Sequence, residues 1–192
     1  MAWIYLGFYL TIFIIMVVVL RYQKGSGIPG WGKSPSSGLD LVWSNIYNLS
    51  NPITLFVAGF DIGRLGLSPS IPLWVRFIML AILIAAFGLV TWAMGNNIFY
   101  SNNDITQIYP GQYVISTGPY GFLRHPGNAG MIILSLALPV SFGSLWALIP
   151  GGFLVFTFVV RTALEDRILL EDLDGYRDYS QRVRYRLIPG IW

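Results

Sequence analysis

His125 is the only histidine of the chain. It lies between Arg124 and Pro126 in the stretch Gly118-Pro119-Tyr120-Gly121-Phe122-Leu123-Arg124-His125-Pro126-Gly127-Asn128-Ala129-Gly130. The basic pair falls where a polar loop gives way to an apolar run. Pro126 suits the first position of a helix, where its missing N–H leaves no bond unmade. The backbone N–H groups that follow are free to meet an anionic group such as a carboxylate. The same residues also fit a plainer reading, an arginine anchored at a membrane surface beside a histidine that packs the turn. One histidine cannot by itself assemble a metal site or a catalytic triad.

A second group lies at Arg161-Thr162-Ala163-Leu164-Glu165-Asp166. Arg161 and Glu165 are four apart and share a helix face, with the basic residue first, the weaker order for a local pair. A carboxylate here can accept from a ligand ammonium or a ribose hydroxyl, and an arginine can bind a substrate carboxylate through two hydrogen bonds. The alternative is a headgroup-level anchor with a modest ion pair, since charges commonly mark the ends of spans. Trp3, Trp92, Tyr100 and Trp192 read as interfacial belt residues. The chain has no cysteine, which excludes disulfides, thiolate metal sites, a cysteine nucleophile and prenylation of this chain.

The elements that must position these residues are membrane helices. Of the 192 residues 55% are apolar and 11% charged, with mean hydropathy +0.61. So few charges cannot coat a water-soluble globule, whose charged fraction is about a quarter. Half of the twelve basic residues lie between Arg161 and Arg186, mixed with six of the nine acids. That mixture speaks against a nucleic-acid partner, which needs a basic stripe. Residues 2–20 read as a retained span, 25–38 as a loop, and 39–60 as a kinked or partly interfacial helix. Residues 73–94 form a clear span, and 95–127 are too polar to cross. Residues 129–142 and 145–160 form a short helical hairpin joined by Gly143-Ser144, and a charged amphipathic helix starts at Arg161.

The expected fold is therefore an all-α integral membrane protein of about five transmembrane helices with a cytosolic C-terminal amphipathic helix. It forms one domain, with N-terminal spans in 1–94 and a cofactor-binding catalytic core in 95–192. Five spans put ten of the basic residues on one face and leave only Arg64 and Arg76 on the other, which predicts a cytoplasmic C-terminus.

Gly118-Pro119-Tyr120, Arg124-His125-Pro126, Gly130 and the Arg161…Glu165-Asp166 group together resemble the isoprenylcysteine carboxyl methyltransferase family, with related phospholipid methyltransferases. The tail from Gly175 to Pro189 is similar as well, so the likeness covers about the last hundred residues. The resemblance implies an S-adenosylmethionine pocket capped by the C-terminal segment and a lipophilic acceptor arriving from the bilayer, such as a prenylcysteine-like carboxylate. It places Gln112, Tyr113, Val114, Ile115, Tyr120, His125, Pro126, Asn128 and Glu165 against the cofactor. Arg161, with Arg124, becomes the catalytic pair, Arg161 facing the substrate. Two positions depart from the family pattern. Asn128 stands where many relatives have tyrosine, and Gln112 where many have histidine; glutamine donates and accepts but never becomes cationic. The Arg-His-Pro element and the tail also resemble integral-membrane sterol reductases, which use NADPH but are much longer. A non-catalytic lipid-binding membrane protein is the third reading.

Overall fold

The structure, a computed structural model, describes residues 37–100 and 108–192. The expected first span and the loop after it lie outside the described residues, apart from the loop's last two positions. Among the described residues the architecture is all helical: α1 (Gly38–Phe60), a π-wound turn (Asp61–Leu65), α2 (Leu73–Asn96), a 3₁₀ turn (Gly118–Gly121), α3 (Pro126–Phe142), α4 (Leu148–Asp172) and α5 (Tyr176–Arg182). Two of these helices, α2 and α4, are long and apolar enough to cross a membrane.

Helix α1 begins at Ser37, whose side chain accepts from the Asp40 N–H at 3.1 Å and donates to the Asp40 carboxylate at 2.8 Å. These bonds satisfy first-turn groups that a helix leaves open. The helix continues through Pro52. It ends in the π turn, where Gly66 takes φ +59° and donates its N–H to the Asp61 carbonyl.

Helix α2 buries a narrow stripe of Leu83, Ala86, Val90 and Ala93 and leaves Trp74, Phe77, Ile84 and Trp92 exposed. Rings and branched chains facing outward along a 24-residue helix suit lipid rather than water. The stripe meets α3 at Gly130. A Cβ there would stand 2.6 Å from Val90 Cγ2 and 3.1 Å from the Ala86 carbonyl. Small residues let two backbones come this close, the usual basis of helix packing in membranes. Gly151 of α4 serves the same purpose against the Ser135 carbonyl of α3. Val90, Met131, Leu154 and Phe158 fill the core between the three helices.

The hairpin expected from 129 to 160 is present, but its second arm is longer. Helix α4 runs unbroken from Leu148 to Asp172, so no separate helix begins at Arg161. The reason is one continuous buried stripe, Gly151, Leu154, Phe158, Arg161, Thr162 and Asp166, on a segment with no Gly or Pro after Gly152. At 1.5 Å per residue it spans about 37 Å, enough to cross and still project a polar end. The hairpin tip is held from below: Asp61 accepts from Ser68 and Ser144 hydroxyls and from the Leu67 and Ser68 N–H groups. Arg76 donates to the Ser141 and Phe142 carbonyls at 3.1 and 2.8 Å.

Candidate functional site

At the opposite end, the polar end of α4 meets the loop before α3 and the C-terminal tail. Asp166 is the hub, with its side chain wholly buried. It accepts from Arg124 Nη1 at 2.9 and 3.0 Å, Arg186 Nε at 2.7 Å, Tyr176 Oη at 2.9 Å and His125 Nε2 at 3.2 Å. Two cations and two further donors offset the cost of burying one carboxylate. The backbone completes the clasp, because the Arg124 and His125 N–H groups donate to the Tyr185 and Arg186 carbonyls at 2.9 and 3.0 Å. Tyr179 seals it by donating to the Tyr120 carbonyl at 2.7 Å. Burial, then the charge of Asp166, pushes the Tyr176 phenol well above its ordinary range. Tyr176 therefore stays protonated and keeps donating.

This clasp forms one wall of a cleft of about 850 Å³, its mouth included. His125 lies between two carboxylates. Donation from Nε2 to Asp166 leaves Nδ1 facing Glu165 Oε2 at 3.8 Å, an arrangement assigned from the partners. Asn128 Nδ2 donates to Thr162 Oγ1 at 3.1 Å and to Glu165 Oε2 at 3.3 Å, so it steadies the glutamate. The same Glu165 oxygen is 3.8 Å from Arg161 Nε. Facing this polar wall are Phe99, Tyr109 and Tyr113, with Phe99 stacked on Tyr109 at 6.5 Å and edge-on to Tyr113 at 5.3 Å. Gln112 turns its side-chain oxygen back to the Tyr109 N–H at 2.9 Å, closing its own loop. Tyr120 Oη accepts from Asn97 Nδ2 at 3.2 Å, and burial above all holds its phenol above the ordinary range.

The fold thus brings Gln112, Tyr113, Val114, Ile115, Tyr120, Arg124, His125, Asn128 and Glu165 to one cleft. Pro126 is fully buried at the start of α3 and does not line it. Arg161 is buried and does not line this cleft; it lines a second, much smaller cavity with Trp43, Tyr47, Leu154, Thr157 and Phe158. Reasoning from sequence named Asp166 beside Glu165 but gave it no role, and it did not single out Tyr176, Tyr179, Arg186 or Asn97. The spacing of Tyr176 and Tyr179, which puts both on one face of a short helix, was the available signal. Tyr100, read as a belt residue, is instead buried and lines the cleft. Trp92 is exposed on α2 as expected, and Trp192 packs under Arg186 at 5.0 Å.

A membrane helical bundle with a polar cleft where its helices leave the apolar layer is the class these features define. Residues 78–172 match the model of the isoprenylcysteine carboxyl methyltransferase (ICMT) family. Among solved structures the chain is similar to the eukaryotic intramembrane Ras methyltransferase ICMT, with TM-score 0.58 and 20% identity. The match covers 77% of this chain and 53% of that one, so this chain spans about half the length of that relative. At such identity the likeness is one of fold. No curated protein matches. The family match over residues 78–172, just under half of the chain, supports an isoprenylcysteine carboxyl methyltransferase-like family, and the fold is shared.

Proposed function

We propose that this chain transfers a methyl group from S-adenosylmethionine to a lipophilic, membrane-borne acceptor whose nucleophile is a carboxylate of the prenylcysteine kind. One observation carries the reading: Glu165 lines one cavity, and Arg161, 3.8 Å from it, lines a second and unlike one. Glu165 belongs to the aromatic and polar cleft, and Arg161 to the smaller cavity, walled mostly by apolar and aromatic side chains. The cofactor and the acceptor need these two environments.

The residues present fit the cofactor. His125 caps the N-terminus of α3 without a side-chain bond, so the Gly127 and Asn128 N–H groups can receive the carboxylate of the methionine end. Glu165 suits its ammonium, and Phe99, Tyr109 and Tyr113 offer faces for an adenine. When bound, the cofactor supplies an electrophilic methyl on a sulfonium. Arg161 holds the acceptor carboxylate and faces it toward that methyl. A carboxylate is ionised at neutral pH, so no general base is required. His125, tied to Asp166, aligns Glu165 and the start of α3. Arg124 acts through the clasp, by fixing Asp166 and the tail that covers the cleft.

On this reading residues 95–192 form the cofactor core and 1–94 supply spans, with the C-terminal end and the cleft on the cytoplasmic side. The family match favours neither the NADPH-dependent reductase nor the non-catalytic lipid-binding reading. Purified protein in lipid nanodiscs is titrated with S-adenosylmethionine and with NADPH. Selective S-adenosylmethionine binding that falls tenfold or more in Glu165→Ala supports the assignment. NADPH binding instead, or an affinity unchanged by Glu165→Ala, overturns it.

A further inference from the structure

Beyond α5 the chain alternates between buried and exposed side chains. Val183 and Leu187 are buried, whereas Arg182 and Arg184 are exposed and pair with no acid among the described residues. Residues 187–192 then close into a tight turn. The Leu187 and Ile188 N–H groups donate to the Trp192 carbonyl at 2.9 and 3.1 Å, and those of Ile191 and Trp192 donate to the Ile188 carbonyl, both at 3.2 Å. Pro189 has no N–H to satisfy, and Gly190 takes φ +83°, where a side chain would be strained. The turn meets its own backbone needs and holds its isoleucines outward, Ile191 77% and Ile188 49% exposed.

This turn lies where the helices leave the apolar layer. The tail is bonded to Arg124 and His125, and His125 caps the start of α3. Arg186 reaches Asp166, six residues past Val160, the last residue of the apolar run in α4. Six helical residues rise about 9 Å, close to the headgroup layer that flanks the apolar core. Exposed isoleucines on a turn of fixed shape mark a contact surface rather than a face for water. A backbone bonded within itself is what entry into lipid demands, since an unmade N–H bond is costly there. Residues 179–192 carry three arginines and no acid, so the partner is anionic. Arginine suits such a boundary, with its aliphatic stem over acyl chains and its head among phosphates, and Tyr185 and Trp192 are residue types favoured there.

We infer that the tail is a docking surface for the anionic phospholipid leaflet beside the cleft. Ile188 and Ile191 enter the boundary between headgroups and acyl chains, and Arg182 and Arg184 bind headgroup phosphates. The segment that the clasp holds through Arg186 is thereby held a second time, by the membrane. This docking is separate from the methyl-transfer reading and stands or falls without it.

The test uses the full chain, which has no native cysteine, in nanodiscs holding one copy each. Ile191→Cys and, as a control, Asp174→Cys carry an environment-sensitive fluorophore; both positions are exposed, so neither substitution disturbs packing. The discs contain phosphatidylcholine with a lipid bearing a doxyl quencher near the headgroup, with or without phosphatidylserine. The Ile191 probe should be quenched roughly threefold more than the Asp174 probe, as for a group seated in the interface. Phosphatidylserine should increase that quenching, and Arg182→Gln with Arg184→Gln should remove the increase. An Ile191 probe quenched no more than the Asp174 probe overturns the inference, as does a phosphatidylserine response that survives loss of both arginines. A probe shielded only in discs that hold two copies assigns the turn to a second copy of the chain and overturns it as well.

Discussion

Replacing Asp166 by alanine tests whether the clasp is held by one charge. In the native protein the carboxylate faces two arginines, one nearly buried and one about a third exposed. Its loss leaves Arg124, whose side chain is 8% exposed, without its counter-ion. Removing one partner of a buried pair costs about 3–5 kcal/mol, because the remaining charge stays desolvated. Water can relieve Arg186 and part of Arg124, so the lower figure, about 3 kcal/mol, applies. That energy is local. It weakens the contacts holding 185–186 against Arg124 and His125 rather than the helix pairing in the core. At 1.4 kcal/mol per tenfold, the detached tail becomes roughly a hundredfold more populated.

Trypsin reads this directly, since Arg182 and Arg184 are exposed side chains on a backbone held in the clasp. Under conditions where reclosing outpaces cleavage, the rate follows the opened population. Cleavage after Arg184 in Asp166→Ala should therefore rise by about two orders of magnitude. Asp166→Asn should behave similarly, because its amide N–H groups face arginine donors. Asp166→Leu combined with Arg124→Met should recover much of the loss, since it removes the stranded charge as well. A rise of less than threefold in Asp166→Ala, or a double variant no better than the single, refutes the charge argument.

At the other end of the bundle, hydrogen bonds from Ser144 and then Ser68 hold the Asp61 carboxyl below its ordinary value, outweighing burial. A depressed folded value means stability present above the unfolded pKa, near 3.9, and lost as pH falls through the lower folded one. Hydrogen exchange at Leu67 and Ser68 should therefore quicken below about pH 4, and Asp61→Asn should remove that acid response; an unaltered profile counts against it. The absence of native cysteine permits single-cysteine mapping of orientation. Asp174→Cys and Ser70→Cys, both at exposed positions, should label from opposite faces of sealed vesicles, Asp174→Cys from the cytoplasmic face. Labelling from one face would overturn the orientation.

Helix existence was legible from the sequence because apolar run length is decided by the bilayer, and the span over 73–94 needed only two residues added at its end. The boundary at Arg161 was not. A change from apolar to charged residues marks a change of solvent, not the end of a helix, and α4 crosses it without a break. The site was legible as far as side-chain type and helical spacing reach, which is to Glu165 and its neighbours. Asp166 as hub was hidden because its partners come from Arg124, Tyr176 and Arg186, brought together by the packing of three separate segments. Tyr100 was misread because an aromatic next to a span end fits a belt equally well. Residues Gly27 to Ser34 also satisfy the spacing of a phosphate-binding loop. That pattern requires a strand before it, and here an apolar run of helical-span length precedes it, outside the described residues.

Polar saturation is distributed unevenly between the two faces of this site, and the unevenness separates support from chemistry. Around Asp166 the carboxylate has at least four donor groups and its oxygens have little accepting capacity left. Such a network is rigid and resists intrusion by a ligand, because any entering group must displace bonds already made. Around Glu165 the bonding is sparse. One Asn128 contact lies at 3.3 Å, and His125 and Arg161 stand off at 3.8 Å. Glu165, held by the fold yet short of close partners, gains more from a ligand than it loses, so binding energy concentrates there. His125 joins the two halves, with one ring nitrogen in the saturated network and the other beside the sparse one. A single histidine suffices for this role, since the task at that position is to transmit the clasp's rigidity to Glu165 rather than to move a proton.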